Sequence, residues 1–379
     1  MTRTPIPAPE LRTAILAIAA MYLISRAIFL LIAHISMLQF GPVPGLDDTG
    51  ILSYLCRWDC QWYLDIAANG YSVVEVGGKP GATTFAFFPL FPLAVRLISP
   101  LFNGNYLLAA VVLTNTCFLA ALVYIYRYAR LMNVDHVAAL LAAGLVCVLP
   151  QSVTFSAAYS ESPFLLLLVV AMFYLRSQRY LVAGIAAAML SSMRPNGVFF
   201  LFFAVACVIR QVGARAFFAP WRAPELYMPI VFAPLGMFAF MAFCFVTTGD
   251  AFAHPSTEYY GWGWRFGPPW ESLRMLLPHD AAQLLATVDV VGVLLCSVLL
   301  IRQGWYEEFV LCAVFVLLIF SGQGVAVQFR YWLMLFPIWI ALARVLAPRP
   351  VTSAMTFAML ASINGLMTCA WALQRPISF

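Results

Sequence analysis

Apolar runs long enough to cross a lipid bilayer recur along the whole of this sequence. A helix of about 20 apolar residues spans the hydrocarbon core, where every backbone polar group must be paired within the protein. Hydrophobic residues make up 63% of the 379 positions and charged residues only 10%, proportions that exclude an ordinary soluble domain. The sequence therefore predicts an all-α polytopic membrane protein.

We expect about 11 transmembrane helices in a single integral membrane domain covering residues 1–379. The proposed spans are 13–38, 105–126, 136–149, 163–175, 180–193, 197–209, 227–247, 281–301, 308–322, 331–347 and 351–373. Several are shorter than the ~20 residues that a crossing needs, so their ends should extend into loops. The first apolar run follows two arginines without a small-residue cleavage site, which predicts an uncleaved span.

Arginines at the ends of these runs place the N-terminus on the cytoplasmic side. The formal charge of +5 is small and is explained by this topology, so it indicates no nucleic-acid partner. Two large segments, 39–104 and 248–280, then lie on the extracytoplasmic face, the first with interfacial amphipathic helices. Residues 85–102 are apolar but contain three prolines, which favours an interfacial or re-entrant element over a further span.

A carboxylate interrupts the membrane-like sequence in Arg57-Trp58-Asp59-Cys60-Gln61-Trp62-Tyr63. At about 100° per residue, a continuous helix over 52–66 would place Asp59 within an apolar stripe and Arg57 on the polar face. Because a carboxylate turned away from water is costly unless it has partners, Asp59 is a candidate functional residue. The alternative is an acidic side chain that caps or pairs within an interfacial helix.

Three further polar positions break apolar sequence on the same expected face. Glu161 stands before Pro163, Arg194-Pro195-Asn196-Gly197 interrupts the run from 180 to 209, and Arg330 follows a glycine-rich turn. A guanidinium binds phosphate well because its fork donates two parallel hydrogen bonds. The structural alternatives are a helix N-terminus at Glu161 and snorkelling of the arginines to lipid headgroups.

The segment 248–280 combines acidic and aromatic residues, among them Asp250, Tyr259 and Trp262. Such a mixture suits stacking against sugar rings, and it also suits an aromatic belt at the membrane interface. His254 is a weak candidate base, since a lone histidine before a proline is more often structural.

Several signatures are absent from the sequence. It contains no Walker A motif, GxSxG elbow, HExxH pair or glycine-rich nucleotide loop, which disfavours a cytosolic nucleotide-dependent enzyme. The nine cysteines form no zinc pattern. Cys56 and Cys60 lie four apart beside Asp59, and either a local disulfide or a metal there remains open.

These residues resemble the PIG-V-like (GPI mannosyltransferase II) family. The resemblance rests first on Arg57-Trp58-Asp59, Tyr63, Gly70-Tyr71 and Ala86-Phe87-Phe88-Pro89-Leu90-Phe91-Pro92. It continues in order with Tyr159-Ser160-Glu161-Ser162, Arg194-Pro195-Asn196-Gly197, Thr248-Gly249-Asp250 and Arg330-Tyr331. Cys60 departs from the small residue that usually follows the Trp-Asp pair.

The resemblance implies a GT-C fold and an inverting transfer of mannose or another hexose from a polyprenyl-phosphate donor to a lipid or glycan acceptor. It implies the following roles: Asp59 as the catalytic base, Arg194 and Arg330 as ligands of the donor phosphate, and Glu161, Asp250, Tyr63, Trp58, Tyr259 and Trp262 as contacts for sugar or acceptor. We expect no cofactor and no obligatory metal, because a lipid phosphate is a good leaving group.

The compact loops resemble those of prokaryotic relatives, so we expect a bacterial cytoplasmic membrane with the site facing outward, or the endoplasmic reticulum if the chain is eukaryotic. Two alternatives remain open: a transporter of lipids or lipid-linked sugars, and a non-catalytic scaffold subunit. A transporter would need charged residues deep within the spans, where only Arg26, His34 and Asp289 qualify.

Overall fold

The computed structural model describes residues 6–41, 43, 50–75, 81–274, 281–322 and 329–375. The α-helices are α1 (Ala8–Phe40), α2 (Cys60–Asn69), α3 (Leu90–Ile98), α4 (Tyr106–Leu131), α5 (His136–Val148), α6 (Glu161–Arg176), α7 (Tyr180–Met193), α8 (Phe200–Val212), α9 (Ala214–Phe217), α10 (Met228–Phe232), α11 (Leu235–Thr248), α12 (Ala253–Trp262), α13 (Pro269–Arg274), α14 (Ala281–Arg302), α15 (Tyr306–Ser321), α16 (Phe329–Trp332), α17 (Phe336–Leu346) and α18 (Pro350–Ala372). Short 3₁₀ helices lie at Ile51–Leu55, Thr84–Ala86, Ser99–Phe102, Ser152–Phe155, Pro195–Phe199, Pro220–Arg222 and Pro224–Tyr227. Within the described ranges, extended backbone pairs only in an isolated antiparallel bridge between Phe266 and Gly322.

Four described helices are long and apolar enough to cross a membrane: Ala8–Phe40, Tyr106–Leu131, Pro195–Val212 and Pro350–Ala372. A fifth crossing results if the bent pair Pro224–Phe232 and Leu235–Thr248 counts as one span. Shorter apolar helices lie at Leu90–Phe102, His136–Val148, Tyr180–Met193, Val290–Arg302 and Phe336–Leu346. The all-helical class is confirmed, and the described residues contain four or five candidate spans rather than 11 of full length.

Local sequence signals explain where several helices begin and end. The Asn105 and Asp135 side chains accept hydrogen bonds from the backbone N–H groups of Leu108 and Ala138, which caps α4 and α5. The break expected at 194–197 is present, because α7 ends at Met193 and a 3₁₀ turn follows. A Cβ on Gly197 would lie 2.2 Å from the carbonyl oxygen of Leu190, so only glycine fits there.

The continuous helix expected over 52–66 is not formed, and this prediction was wrong. The chain leaves a 3₁₀ helix at Leu55, passes through Trp58 at φ 50°, and starts α2 only at Cys60. Asp59 therefore precedes α2 instead of lying within an apolar stripe. Arg57 was expected on the polar face, but it is 2% exposed and donates to the backbone carbonyls of Ser53 and Ala372. Hydrophobic periodicity indicates only a local preference for an amphipathic helix. The tertiary contacts of this turn stabilise a different backbone conformation.

The apolar segment 85–102 folds as short pieces, of which α3 is the longest at nine residues. A helix of that length covers about 14 Å, roughly half of the hydrocarbon thickness. Tyr63 of α2 packs on Phe91 of α3 with ring centroids 5.0 Å apart. The interfacial or re-entrant position of the segment stays a prediction.

Helix α6 lies between α4 and α7 in the core of the bundle. Its last residue, Arg176, forms ion pairs with the buried carboxylates of Glu307 and Glu308 at 3.2 and 2.6 Å. Its first residue, Glu161, lies about 24 Å away at the opposite end of the helix. The candidate site gathers around that first turn.

Candidate functional site

Asp59 lies in a turn that several contacts hold in place. Cys56 and Cys60, on either side of it, form a disulfide. The Tyr159 hydroxyl donates to the carbonyl oxygen of Arg57 at 2.7 Å and accepts from the backbone N–H of Asp59 at 3.0 Å. Of the two possibilities left open for the cysteines, the structure shows the disulfide.

The carboxylate of Asp59 forms an ion pair with a residue 271 positions later. Arg330, on α16, places Nη1 2.7 Å from Asp59 Oδ2. The Asp59 side chain is 21% exposed and that of Arg330 11%, so the pair can be reached from outside. Burial lowers the pKa of Arg330, but the charge of Asp59 and then Tyr331 raise it well above its usual value. Arg330 therefore stays protonated.

A second ion pair lies behind the first. Glu161 is 0% exposed, and its Oε1 lies 2.6 Å from Arg194 Nη1 and 3.8 Å from Arg330 Nε. Arg194 Nη1 also donates to the hydroxyl of Ser160 at 3.2 Å. That hydroxyl lies 3.0 Å from the Tyr63 hydroxyl, so Tyr63 joins the same polar network. Two guanidiniums and two carboxylates thus alternate in one cluster: Asp59, Arg330, Glu161 and Arg194.

Aromatic rings enclose the two guanidiniums. The guanidinium carbon of Arg194 lies 4.9 Å from the ring centre of Tyr331, and that of Arg330 lies 5.7 Å from Tyr331 and from Tyr159. Such cation–π contacts strengthen where water is excluded. The rings therefore hold both cations at the site without neutralising them.

Helix α12 covers the site from the 248–280 segment. Trp262 packs edge-on against Trp62 with ring centroids 5.1 Å apart, and the Thr257 and Thr83 hydroxyls are 3.0 Å apart. A Cβ on Gly261 would lie 2.7 Å from Cα of Ala82, so glycine permits the close approach. These contacts fix α12 against α2 and the segment before α3.

Glu258 is a member of this site that the sequence analysis did not select. It stands one helical turn before Trp262 on α12, and residues four apart share a helix face. Burial, and then the negative charge of Asp59, raise the pKa of Glu258 to about 8, while Arg330 and Arg194 lower it. The Glu258 carboxyl is therefore mainly neutral at pH 7. The four-residue spacing between Glu258 and Trp262 is visible in the sequence and places both on one face of a helix. The proximity of Glu258 to Asp59 depends on the tertiary structure and is not visible there.

The remaining predicted contacts lie at different distances from the cluster. Trp58 is half-buried beside Asp59, and Trp262 is half-buried against Trp62. Tyr259 is 43% exposed, and the guanidinium carbon of Arg265 lies 5.1 Å from the centre of its ring. The Asp250 carboxylate accepts from the backbone N–H of Phe252 and the hydroxyl of Ser256. Among the described contacts, those of the Asp250 carboxylate lie at the start of α12 and not at the ion-pair cluster.

His254 has a structural setting. Its Nδ1 lies 3.2 Å from the carbonyl oxygen of Phe85, and its ring packs edge-on against Phe88. Burial lowers the pKa of His254 to about 4, so the imidazole is neutral near pH 7. Its contacts dock α12 on the segment before α3.

Two of the ionisable residues considered deep in the spans also have structural partners. Arg26 donates to the carbonyl oxygens of Cys147 and Ser152, which pairs backbone groups at the end of α5. His34 Nδ1 lies 3.1 Å from the Tyr54 hydroxyl. The side chain of Asp289 lies outside the described part of the chain. So do Asp47, Asp48 and Gln328, three polar residues that the expected topology places on the extracytoplasmic face. Across the described residues, no group of three or more His, Cys, Asp or Glu side chains is placed to hold a metal ion.

Comparisons with known proteins identify a matching family. A family model described as Mannosyltransferase (PIG-V) matches residues 46–248, a range that contains Asp59, Glu161 and Arg194. The GPI alpha-1,6-mannosyltransferase 2 of Mus musculus is 30% identical over 259 residues, which cover 62% of this chain and 51% of the mouse protein. The GPI mannosyltransferase 2 of Drosophila pseudoobscura pseudoobscura is 36% identical over 135 residues, which cover 33% of this chain and 28% of the fly protein.

Among solved structures, the crystal structure of the Archaeoglobus fulgidus oligosaccharyltransferase in complex with Zn and sulfate aligns with a TM-score of 0.48 at 11% identity. The alignment covers 91% of this chain and 53% of that protein. The chain spans about half the length of the mouse and rat relatives that it matches. Because the family model matches more than half of its 379 residues, this chain belongs to the PIG-V mannosyltransferase family.

Proposed function

We propose that this membrane protein is an inverting mannosyltransferase that takes its sugar from a polyprenyl-phosphate donor. The observation that carries the proposal is the ion pair between Asp59 and Arg330, backed by Glu161 and Arg194. It offers an accessible carboxylate and two arginines at one place. These are the groups that transfer from a phosphate-linked sugar to a hydroxyl requires. The GT-C architecture implied by the family is part of this proposal.

Asp59 acts as the general base. It takes the proton of the acceptor hydroxyl as that oxygen forms its bond to the anomeric carbon, and the bond from that carbon to the phosphate oxygen breaks. The electron pair leaves with the lipid phosphate. Asp59 is 21% exposed whereas Glu161 is 0% exposed, so only Asp59 can meet an acceptor without rearrangement.

The two arginines stabilise the departing phosphate. The guanidinium fork suits phosphate oxygens, and a preorganised cation at the developing charge is often the largest contribution to catalysis. In the structure Arg330 donates to Asp59. Donor phosphate replaces Asp59 as the partner of Arg330 and releases the carboxylate to act as a base. Glu161 keeps Arg194 in place as its counter-ion.

The acceptor-binding surface lies between α2 and α12. Trp58, Trp262 and Tyr259 supply aromatic faces for sugar rings, and Tyr63 holds the polar network beneath them. Asp250 contributes by fixing the start of α12 through its contacts with Phe252 and Ser256. The acceptor is a lipid or a glycan with a free hydroxyl.

The site faces away from the cytoplasm. Disulfides form and persist in oxidising compartments, and Cys56–Cys60 lies directly beside Asp59. This agrees with the positive-inside topology, which puts Asp59 and the α12 segment on the outer side. The compact loops support the cytoplasmic membrane of a bacterium as the location.

Transfer by the purified protein tests the proposal. Wild type and Asp59→Asn are compared in detergent with polyprenyl-phosphate mannose, using crude lipid and simple mannosides as acceptors, and both donor loss and product are followed. We expect kcat to fall about 10²- to 10⁴-fold in Asp59→Asn, because a positioned base contributes that much. The matched control is Asp65→Asn, a carboxylate on the helix α2 that follows Asp59; among the described contacts its side chain bonds only Asn69.

Two outcomes would contradict the proposal. Equal kcat in wild type and Asp59→Asn would remove Asp59 as the base. Absence of both donor binding and donor loss in folded wild type would remove the transferase and favour a scaffold or transport role.

A further inference from the structure

The disulfide beside Asp59 has no role in the reaction as described above. Cys60 is 0% exposed, and Cys56 is half-buried at the end of the preceding 3₁₀ helix. The bond encloses three residues, Arg57, Trp58 and Asp59. The other seven cysteines lie within helices, free and buried or half-buried.

The bond is incompatible with the helix that the sequence pattern favours. In an α-helix, residues four apart have Cβ atoms about 5–6 Å apart. A disulfide needs Cβ atoms about 3.5–4.5 Å apart. Linking Cys56 to Cys60 therefore excludes a continuous helix over 52–66 and selects the turn that the structure shows.

The selected turn decides where Asp59 lies. Trp58 adopts φ 50°, a conformation that is rare for a bulky residue. Its neighbours are held by the Tyr159 hydroxyl, which bonds Arg57 and Asp59 on the side facing the core. In this turn Asp59 reaches Arg330 at 2.7 Å.

We propose that the Cys56–Cys60 disulfide is a positioning cross-link that holds Asp59 against Arg330 and so makes transfer sensitive to reductants. This inference rests on the proposed role of Asp59 as the base. Cys56 and Cys60 are positioning residues, since neither touches the substrate. Reduction frees 52–66 to adopt its locally preferred helix and moves the carboxylate away from Arg330.

Reduction by dithiothreitol is a balanced two-electron step. The S–S bond breaks, each sulfur gains one electron and one proton to become a thiol, and the reagent is oxidised to its cyclic disulfide. Cys56 is the sulfur that the reagent reaches, because Cys60 is fully buried. Reoxidation by oxidised glutathione reverses the step.

The experiment uses the full chain in detergent, with the thiol state of the peptide containing both cysteines verified by alkylation and mass spectrometry. We expect reduction to lower kcat about 100-fold, the effect of misplacing a reacting group by about 1 Å. The KM for polyprenyl-phosphate mannose should stay within threefold, because Arg194 and Arg330 remain. Reoxidation should restore kcat.

Three variants serve as comparisons. Cys56→Ala and Cys60→Ala should each show the low kcat of the reduced wild type and no response to dithiothreitol. Cys117→Ala, a half-buried cysteine of α4, should keep wild-type kcat and full sensitivity. Unchanged kcat after verified reduction, or a donor KM that rises as much as kcat falls, would overturn the proposal.

Hydrogen exchange separates this proposal from the proposed function. Reduction should change the protection of the amides of Asp59 and Cys60, which donate to Tyr159 Oη and the Arg57 carbonyl oxygen in the oxidised turn. If protection changes but no form transfers sugar, the cross-link holds the turn and the proposed function fails. If protection is unchanged on reduction, the positioning role is refuted whatever the activity.

Discussion

Replacement of Glu161 by glutamine tests whether this residue is a counter-ion for the arginines or a ligand of the sugar. The carboxylate is 0% exposed, with Arg194 Nη1 at 2.6 Å and Arg330 Nε at 3.8 Å. Removing one partner of a buried ion pair leaves the other charge uncompensated and costs about 3–5 kcal/mol. Glutamine keeps one oxygen that accepts from Arg194, so we expect a loss near the lower end, about 3 kcal/mol.

A double-mutant cycle isolates the interaction between the two partners. Glu161→Gln and Arg194→Gln should each destabilise the protein, while the double variant should lose less than the sum by about 2–3 kcal/mol. The free energy of unfolding is measured in mixed detergent and sodium dodecyl sulfate by tryptophan fluorescence. Glu225→Gln, at an exposed position in a 3₁₀ helix, is the control and should leave it unchanged.

Kinetics on the same variant distinguish the two roles. A counter-ion for the arginines predicts that Glu161→Gln leaves the donor KM unchanged or lower, because the site becomes more positive for an anionic donor. A sugar ligand predicts a higher KM. Strictly additive losses in the cycle, or wild-type stability of Glu161→Gln, would refute the reasoning from the buried ion pair.

Three further predictions concern α12 and the far end of the bundle. The pKa of Glu258 is raised from an ordinary 4.5 to about 8. Between these two pH values the native state keeps a proton on Glu258 that the unfolded state loses. The free energy of unfolding should therefore fall as the pH rises from 4.5 to 8. Above pH 8 the negative charge of Glu258 beside Asp59 should raise the donor KM. Glu258→Gln should flatten the pH dependence of both the unfolding free energy and the donor KM. A wild-type pH dependence in that variant would show that Glu258 is not the titrating group. Gly261→Ala adds a Cβ 2.7 Å from neighbouring backbone and should lower kcat/KM about tenfold, whereas Gly292→Ala, with no neighbour within 4 Å, should not. Arg176→Met removes the arginine partner of the buried Glu308 carboxylate, while Glu307 keeps its ion pair with Arg210 at 2.9 Å. We expect a cost of about 3 kcal/mol in unfolding free energy, the lower end for a broken buried pair. The donor KM should stay unchanged because this cluster lies at the opposite end of α6, and a change in KM would show that the two ends are coupled.

Local patterns in the sequence identified the fold class of the protein and several positions where a helix begins or ends. Long apolar runs can satisfy their backbone polar groups only as helices in a bilayer, which is why the all-helical class followed from composition alone. Pro195 and Gly197 end α7 where expected, and α6 begins at Glu161. The number of full-length spans did not follow, because apolar segments of 10–17 residues do not reveal whether they cross alone.

The residues singled out for chemistry were also found from local reasoning. A charged side chain inside apolar sequence is costly, so Asp59, Glu161, Arg194 and Arg330 each stood out before any contact was known. The structure brings these four together in one cluster.

Only the tertiary structure decided how these residues meet. The pair between Asp59 and Arg330 joins positions 271 apart, and Glu258 belongs to the site because α12 docks on α2. The turn at Asp59 contradicts its own helical periodicity, because the Cys56–Cys60 disulfide and the Tyr159 hydroxyl impose another geometry. Hydrophobic periodicity and helix propensity predict the conformation that a segment adopts in an average environment. The positions of Asp59 and Glu258 depend instead on a specific disulfide and on polar contacts with residues far away in the sequence.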